Sequence, residues 1–188
     1  MSSASLIRAF VALELPEPVR EALAAVLDAA RRNAPGKLAW VSPESMHLTL
    51  AYLGPSSPER LDALRPELAR AGAAHRPLEL GLAQTGVFPS PQRPSVLWVG
   101  LHPSPPLAAL QAEVAAMVRA LGWSLDERPF VPHLTCARAK WPGALAAHWA
   151  ELFVPQLRWT AGALSLMRSD SGPQGALYTR LDAFLLGA

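Results

Sequence analysis

Apolar residues recur along the chain in two rhythms. "SLIRAFVALELP" (5–16) is dense in apolar and β-branched residues and closes on Pro16, which predicts a strand. The following "PEPVREALAAVLDAARRNA" sets Leu23, Val26, Leu27 and Ala30 at helical spacing, with Pro35 and Gly36 as the stop. "KLAWV" (37–41) and "MHLTLAYL" (46–53) read as two short strands around "SPES". "SSPERLDALRPELARAGA" (56–73) is a second helix, with Ser57 as N-cap and Pro58 in its first turn. Pro66 inside it predicts a kink or a break.

Two strands follow, "PLELGLAQTGVF" (77–88) and "SVLWVGL" (95–101), around the proline-rich loop "PSPQRP". The clearest helical stripe is Leu107, Leu110, Val114, Met117, Val118 and Leu121, which Gly122 is placed to end. Then come a short strand "WSLDE" (123–127), the loop "RPFVP", a strand "HLTCARA" (133–139) and a short fourth helix "GALAAHWAEL" (143–152). The tail from Gln156 reads as strand, strand, turn, strand. Short helices among many strands predict an α+β fold with antiparallel or mixed pairing, and no linker divides the chain.

Composition narrows the class. The chain has 188 residues, 51% of them hydrophobic, enough for a sizeable core. The longest apolar runs fall short of a membrane helix, and the N-terminus lacks the layout of a secretory signal. The lone Cys136 has no internal disulfide partner, which suits a reducing compartment and predicts a cytoplasmic protein. The net charge of +2 is too small for a polybasic nucleic-acid coat. Lys37 and Lys140 are the only lysines among 17 cationic residues; the rest are arginine. Arginine suits phosphate oxygens, but Ala and Pro are abundant too, a pattern that GC-rich coding produces. The arginine bias decides nothing alone.

The chemistry lies in a repeated word. His-Leu-Thr occurs at 47–49 and again at 133–135, about half a chain apart, each time on a predicted strand. Residues i and i+2 of a strand share a face. His47 and Thr49 therefore share one face and His133 and Thr135 another, with Leu48, Leu134 and Cys136 turned to the core. If two lobes meet at a cleft, the two pairs converge on one site. Two imidazoles supply a general base and a general acid at neutral pH. Two hydroxyls can hold phosphate oxygens. A phosphodiester with an incoming oxygen nucleophile needs those parts and no metal.

Other features are weaker. "SDSGP" (169–173) superficially resembles a protease nucleophile loop but reads as a turn. Gly-x-Ser-x-Gly and the phosphate-binding Gly-x-x-x-x-Gly-Lys-Ser/Thr are both missing from the sequence. His75, His102 and His148 have no acidic or cysteine neighbours at ligand spacing, so solvated side chains are expected rather than a zinc site. Cys136 is expected to be an inert core residue. Phe10 is a candidate for stacking on a base, with core packing as the alternative.

Five blocks in order resemble one family: "RAFVALELP" (8–16), "MHLTLAYLG" (46–54), "GVFPSPQRPSVLWVG" (86–100), "PFVPHLTCAR" (129–138) and "LSLMRSDSGPQGALYTRLDAF" (164–184). They are similar to the 2H phosphoesterases, and within these to the RNA 2′,3′-cyclic phosphodiesterases, also called LigT-like or 2′-5′ RNA ligase-like proteins. The resemblance implies a bilobal α+β fold, with two antiparallel or mixed sheets flanked by helices around a central cleft. It implies a single bilobal domain over 1–188. The implied activity opens a 2′,3′-cyclic phosphate at an RNA end, or of a small cyclic nucleotide, and leaves a 2′-phosphate. It needs no cofactor, no metal and no membrane, and the protein would act as a monomer. His47 and His133 would be catalytic, with His133 as base and His47 as acid. Thr49 and Thr135 would bind the non-bridging oxygens, and Arg138 would contact phosphate. Arg138 has the wrong parity to share a face with His133, so a bulge must re-aim it. Tyr52 and Cys136 depart from commoner family residues, on what is expected to be the core face. The alternatives are the reverse reaction, 2′-5′ RNA ligation, and a non-catalytic RNA-end-binding protein.

Overall fold

The computed structural model describes residues 5–33, 38–139, 149–172 and 175–187. The chain runs β1 (Ile7–Glu14), α1 (Glu17–Asn33), β2 (Leu38–Trp40), a 3-10 turn (Pro43–Ser45), β3 (His47–Ser56) and α2 (Pro58–Ala74). It continues with β4 (Leu78–Phe88), β5 (Val96–Leu101), α3 (Pro105–Ala120) and β6 (His133–Ala139). β7 (Arg158–Ala161), β8 (Ala163–Gly172) and β9 (Gly175–Leu185) complete it. Among the described residues, no helix is long and apolar enough to cross a membrane.

The strands form one nine-stranded sheet in the order β7-β4-β5-β6-β3-β1-β8-β9, with β2 paired to β6. The α+β class holds, and every ladder among the described residues is antiparallel. The expected two sheets are halves of one, joined where β3 meets β6 at the pair Leu48–Leu134. That junction is where the two His-Leu-Thr strands touch in the ladder, and it brings both motifs to the centre of the sheet.

The core explains why the sheet holds. Leu48, Leu134, Leu97, Val99 and Cys136 are essentially inaccessible on the face covered by helices, together with Leu64 and Leu68 of α2 and Leu110 and Val114 of α3. Each fully buried Leu or Val side chain contributes about 1.5–3 kcal/mol. Ser57 and Ser104 cap α2 and α3, their hydroxyls accepting from the amides of Arg60 and Leu107 at 3.4 Å.

Three local expectations are corrected. α2 runs through Pro66 without a break. An interior proline costs about 3 kcal/mol, but Leu61, Leu64, Leu68 and Ala71 bury a continuous stripe on both sides of it, and that burial outweighs the cost. The stretch 123–127 is not a strand. Trp123 is anchored instead: its indole N–H donates to Ser56 Oγ at 3.0 Å and the Arg60 guanidinium lies 4.0 Å over its ring. Tyr52 is exposed rather than core-facing, because the β1–β3 register shifts between Val11 and Ala12 and breaks the alternation. The expected fourth helix lies largely outside the described residues.

Candidate functional site

The register of the sheet interlocks the two motifs. Antiparallel pairing around Leu48–Leu134 sets His47 beside Thr135 and Thr49 beside His133. Directly opposed residues hold their Cβ atoms about 4.5–5.5 Å apart. The four polar side chains therefore form one cluster on the face opposite the core, each histidine next to the other motif's threonine.

Both imidazoles are oriented in the same way. His47 Nδ1 lies 2.9 Å from the Ser45 carbonyl, and His133 Nδ1 lies 2.7 Å from the Val131 carbonyl. A carbonyl only accepts, so each Nδ1 carries the proton and donates. This fixes the tautomer and leaves each Nε2 for chemistry. In both motifs the carbonyl belongs to the residue two positions before the histidine, which is why the local backbone repeats along with the sequence.

Arg138 reaches the same face by the bulge its parity requires. On β5 the consecutive residues Leu97 and Trp98 oppose Ala137 and Thr135 of β6, so Cys136 is the extra residue. The shift leaves Ala137 buried and frees Arg138. Its positive charge acts on both histidines. Cys136 itself is inert: burial pushes its thiol up to about 12, far above the range of a nucleophilic thiolate.

Aromatic rings wall both histidines. The Phe10 ring stacks on His47 at 4.5 Å between centroids and Tyr178 meets His47 edge-on at 5.0 Å. Phe88 meets His133 edge-on at 4.9 Å, and Trp98 lies 6.0 Å from it. Phe10 is only 2% exposed. It backs the imidazole of His47 and packs with Ala12, Met167 and Tyr178. Gly86 makes room for Trp98, since a methyl group at position 86 would collide with the indole.

Burial and charge set the protonation of the pair. His47 is held below the ordinary imidazole value, first by desolvation; the Ser45 carbonyl and Glu14 oppose this, while His133 and Arg138 add to it. His133 is likewise lowered, first by desolvation and then by Arg138, against the Val131 carbonyl. Glu14 lies directly across from His47 in the β1–β3 ladder. Its carboxylate accepts from Ser165 Oγ and from Arg180 at 3.2 Å, which holds it in place. Sequence reasoning missed Glu14, Tyr178, Phe88 and Trp98.

The other histidines are apart from this cluster. His75 Nε2 lies 2.8 Å from a Glu113 carboxylate oxygen rather than being free in solvent, and His102 is exposed. His148 lies outside the described residues.

A family model described as the 2′-5′ RNA ligase superfamily matches residues 15–173. Among relatives named RNA 2′,3′-cyclic phosphodiesterase, one from Thermus thermophilus is 35% identical, over 95% of this chain and 90% of its own length. Another from Geobacillus stearothermophilus is 35% identical over 71% of this chain, a match spanning only 42% of the longer protein. The crystal structure of TT0787 of Thermus thermophilus superposes with a TM-score of 0.78 at 31% identity, covering 96% of this chain and 98% of that one.

Proposed function

The chain belongs to the 2′-5′ RNA ligase superfamily, and from that premise we propose that it hydrolyses the 2′,3′-cyclic phosphate at RNA ends to a 2′-phosphate. The observation that carries the reading is the interlocked motif pair: two Nε2 atoms and two threonine hydroxyls on one face, with both tautomers set by backbone carbonyls.

The chemistry follows from those groups. His133 accepts a proton from water as its oxygen bonds to phosphorus. The bond from phosphorus to O3′ breaks, and the Nε2–H of protonated His47 gives its proton to that oxygen. One water is consumed, and a 3′-hydroxyl and a 2′-phosphomonoester result. Thr49 and Thr135 donate to the non-bridging oxygens, where negative charge grows in the transition state. Arg138 adds positive charge beside them. The acid role falls to His47 because Glu14 favours its protonated form, and no carboxylate acts comparably on His133.

The enzyme works without a metal ion. The proposed acid–base catalysis needs only the two imidazoles. It acts as a monomer in the cytoplasm, where the lone thiol of Cys136 stays reduced. The test is to incubate the pure protein, in EDTA, with an RNA ending in 2′,3′-cyclic phosphate and identify the product. A 2′-phosphomonoester is expected. A 3′-phosphomonoester, or a rate abolished by EDTA and restored by zinc or manganese, contradicts the reading.

A further inference from the structure

A second cationic feature lies at the end of the sheet, where α2 leads into β4 and β5 leads into α3, and part of its wall is on the face of the two histidines. A concavity of about 550 Å³ opens between the start of β4, the end of β5 and β7, lined by Arg76, Glu79, Gly81, His102 and Arg158 among others. Its place follows from the register. Trp98 and Gly100 of β5 lie on the face of the two histidines, and Gly100 pairs with His133. His102 continues that parity, its amide donating to the Gly81 carbonyl at 2.9 Å as an extension of the ladder. Two residues of strand span about 7 Å. The concavity therefore begins about one or two nucleotide steps from His133.

Its chemistry is that of an anion site. Arg76 and Arg158 are exposed and make no ion pair among the described residues, whereas Arg65, Arg70, Arg128 and Arg168 each pair with a carboxylate. The one carboxylate in the lining, Glu79, accepts a hydrogen bond from the Thr160 hydroxyl. Gly81 forms the floor, where an added methyl would press on His102 Cδ2 at 3.3 Å and on Arg158 Cγ at 3.4 Å. The start of α3 also faces the concavity, but Pro105 and Pro106 have no N–H to offer. Donors come from the arginines, which suit phosphate by their planar forks.

We infer that this concavity is a second phosphate subsite, in which Arg76 and Arg158 hold a backbone phosphodiester of the RNA whose cyclic end lies between His47 and His133. The subsite presupposes that the chain acts on RNA ends, and it makes oligonucleotides rather than mononucleotides the preferred substrate class. No group of the catalytic cluster contributes to it.

The experiment has a binding arm and a rate arm. Binding is measured with a 5′-fluorescein tetraribonucleotide bearing a terminal 2′,3′-cyclic phosphate, on protein carrying His47→Ala and His133→Ala. Adding Arg76→Ala and Arg158→Ala is expected to weaken binding about tenfold. It should also flatten the slope of log K against log salt by about 0.7 per lost phosphate contact. In the otherwise native enzyme, Arg76→Ala with Arg158→Ala should raise KM about tenfold for the tetranucleotide. It should leave kcat and the rate on a mononucleoside 2′,3′-cyclic phosphate unchanged. Removing Arg32 and Arg119, exposed arginines outside the lining, serves as the charge control. An equal loss in that control, unchanged tetranucleotide binding, or an equal loss of rate on both substrates overturns the subsite. Length-dependent binding that needs Arg76 and Arg158 upholds it even if neither substrate is hydrolysed, and that second result would sink the hydrolase reading alone.

Discussion

The two halves of the cluster share a tripeptide and a backbone hydrogen bond but not their surroundings. His47 has a stacked phenylalanine behind it, a tyrosine edge beside it and Glu14 opposite it in the ladder. His133 has Phe88 and Trp98 as walls and, among the described residues, feels Arg138 without a compensating carboxylate. The repeat provides two equivalent imidazoles. What differs is the charge around them: Glu14 favours the protonated form of His47, and the proposed division of labour rests on that difference.

Removing either histidine should break both halves equally. His47→Ala and His133→Ala are each expected to lower kcat by at least about 10²-fold, the scale of a lost general acid or base. Both variants should remain folded, because the two rings face away from the core. Near-native turnover in either variant would remove that residue from the mechanism.

A substitution confined to the His133 half should be milder. Gly86→Ala forces the Trp98 indole to shift, with an expected cost of about 1–3 kcal/mol in stability. The same change should lower kcat/KM by about tenfold as the wall of His133 moves. Thermal unfolding and steady-state rates measured on the same preparation check both parts. An unchanged melting temperature would show that the indole can relocate freely.

The smallest effect should be the most selective. Glu14→Gln keeps a partner for Ser165 and Arg180 but removes the negative charge that raises the pKa of His47. The alkaline limb of kcat/KM reports the free enzyme's acid, so it should move to lower pH. The rate at neutral pH should fall about threefold and recover below the limb. The acid limb, which reports His133, should stay in place. A shift of the acid limb alone would attach Glu14 to the wrong half.

Much of this site was legible because strand parity is local. His47 with Thr49, His133 with Thr135, and the core setting of Leu48, Leu134 and Cys136 all follow from a period of two. The bulge at Cys136 could be demanded from Arg138's parity before its place was known. Long-range register could not be read. Nothing near residue 14 says that Glu14 will lie across from His47, and nothing near residue 178 says that Tyr178 will touch its ring. Those contacts depend on which strands pair and where the ladders slip. The misread segments have the same cause. Trp123 looked like a strand residue because its anchors, Ser56 and Arg60, lie far off in sequence. Pro66 looked like a break because the stripe that overrides it is satisfied by packing.

The central claim, that His47 is the acid and His133 the base, is tested most directly by replacing the 3′ oxygen of the cyclic phosphate with sulfur. A thiolate leaves with little need for a proton, so loss of the acid should matter far less with this substrate than loss of the base. With the sulfur substrate, kcat of His47→Ala should recover to within about tenfold of the unsubstituted enzyme, while His133→Ala stays at least about 10²-fold down. Rescue of His133→Ala with no rescue of His47→Ala would reverse the two roles and contradict the division of labour read from Glu14 and Arg138.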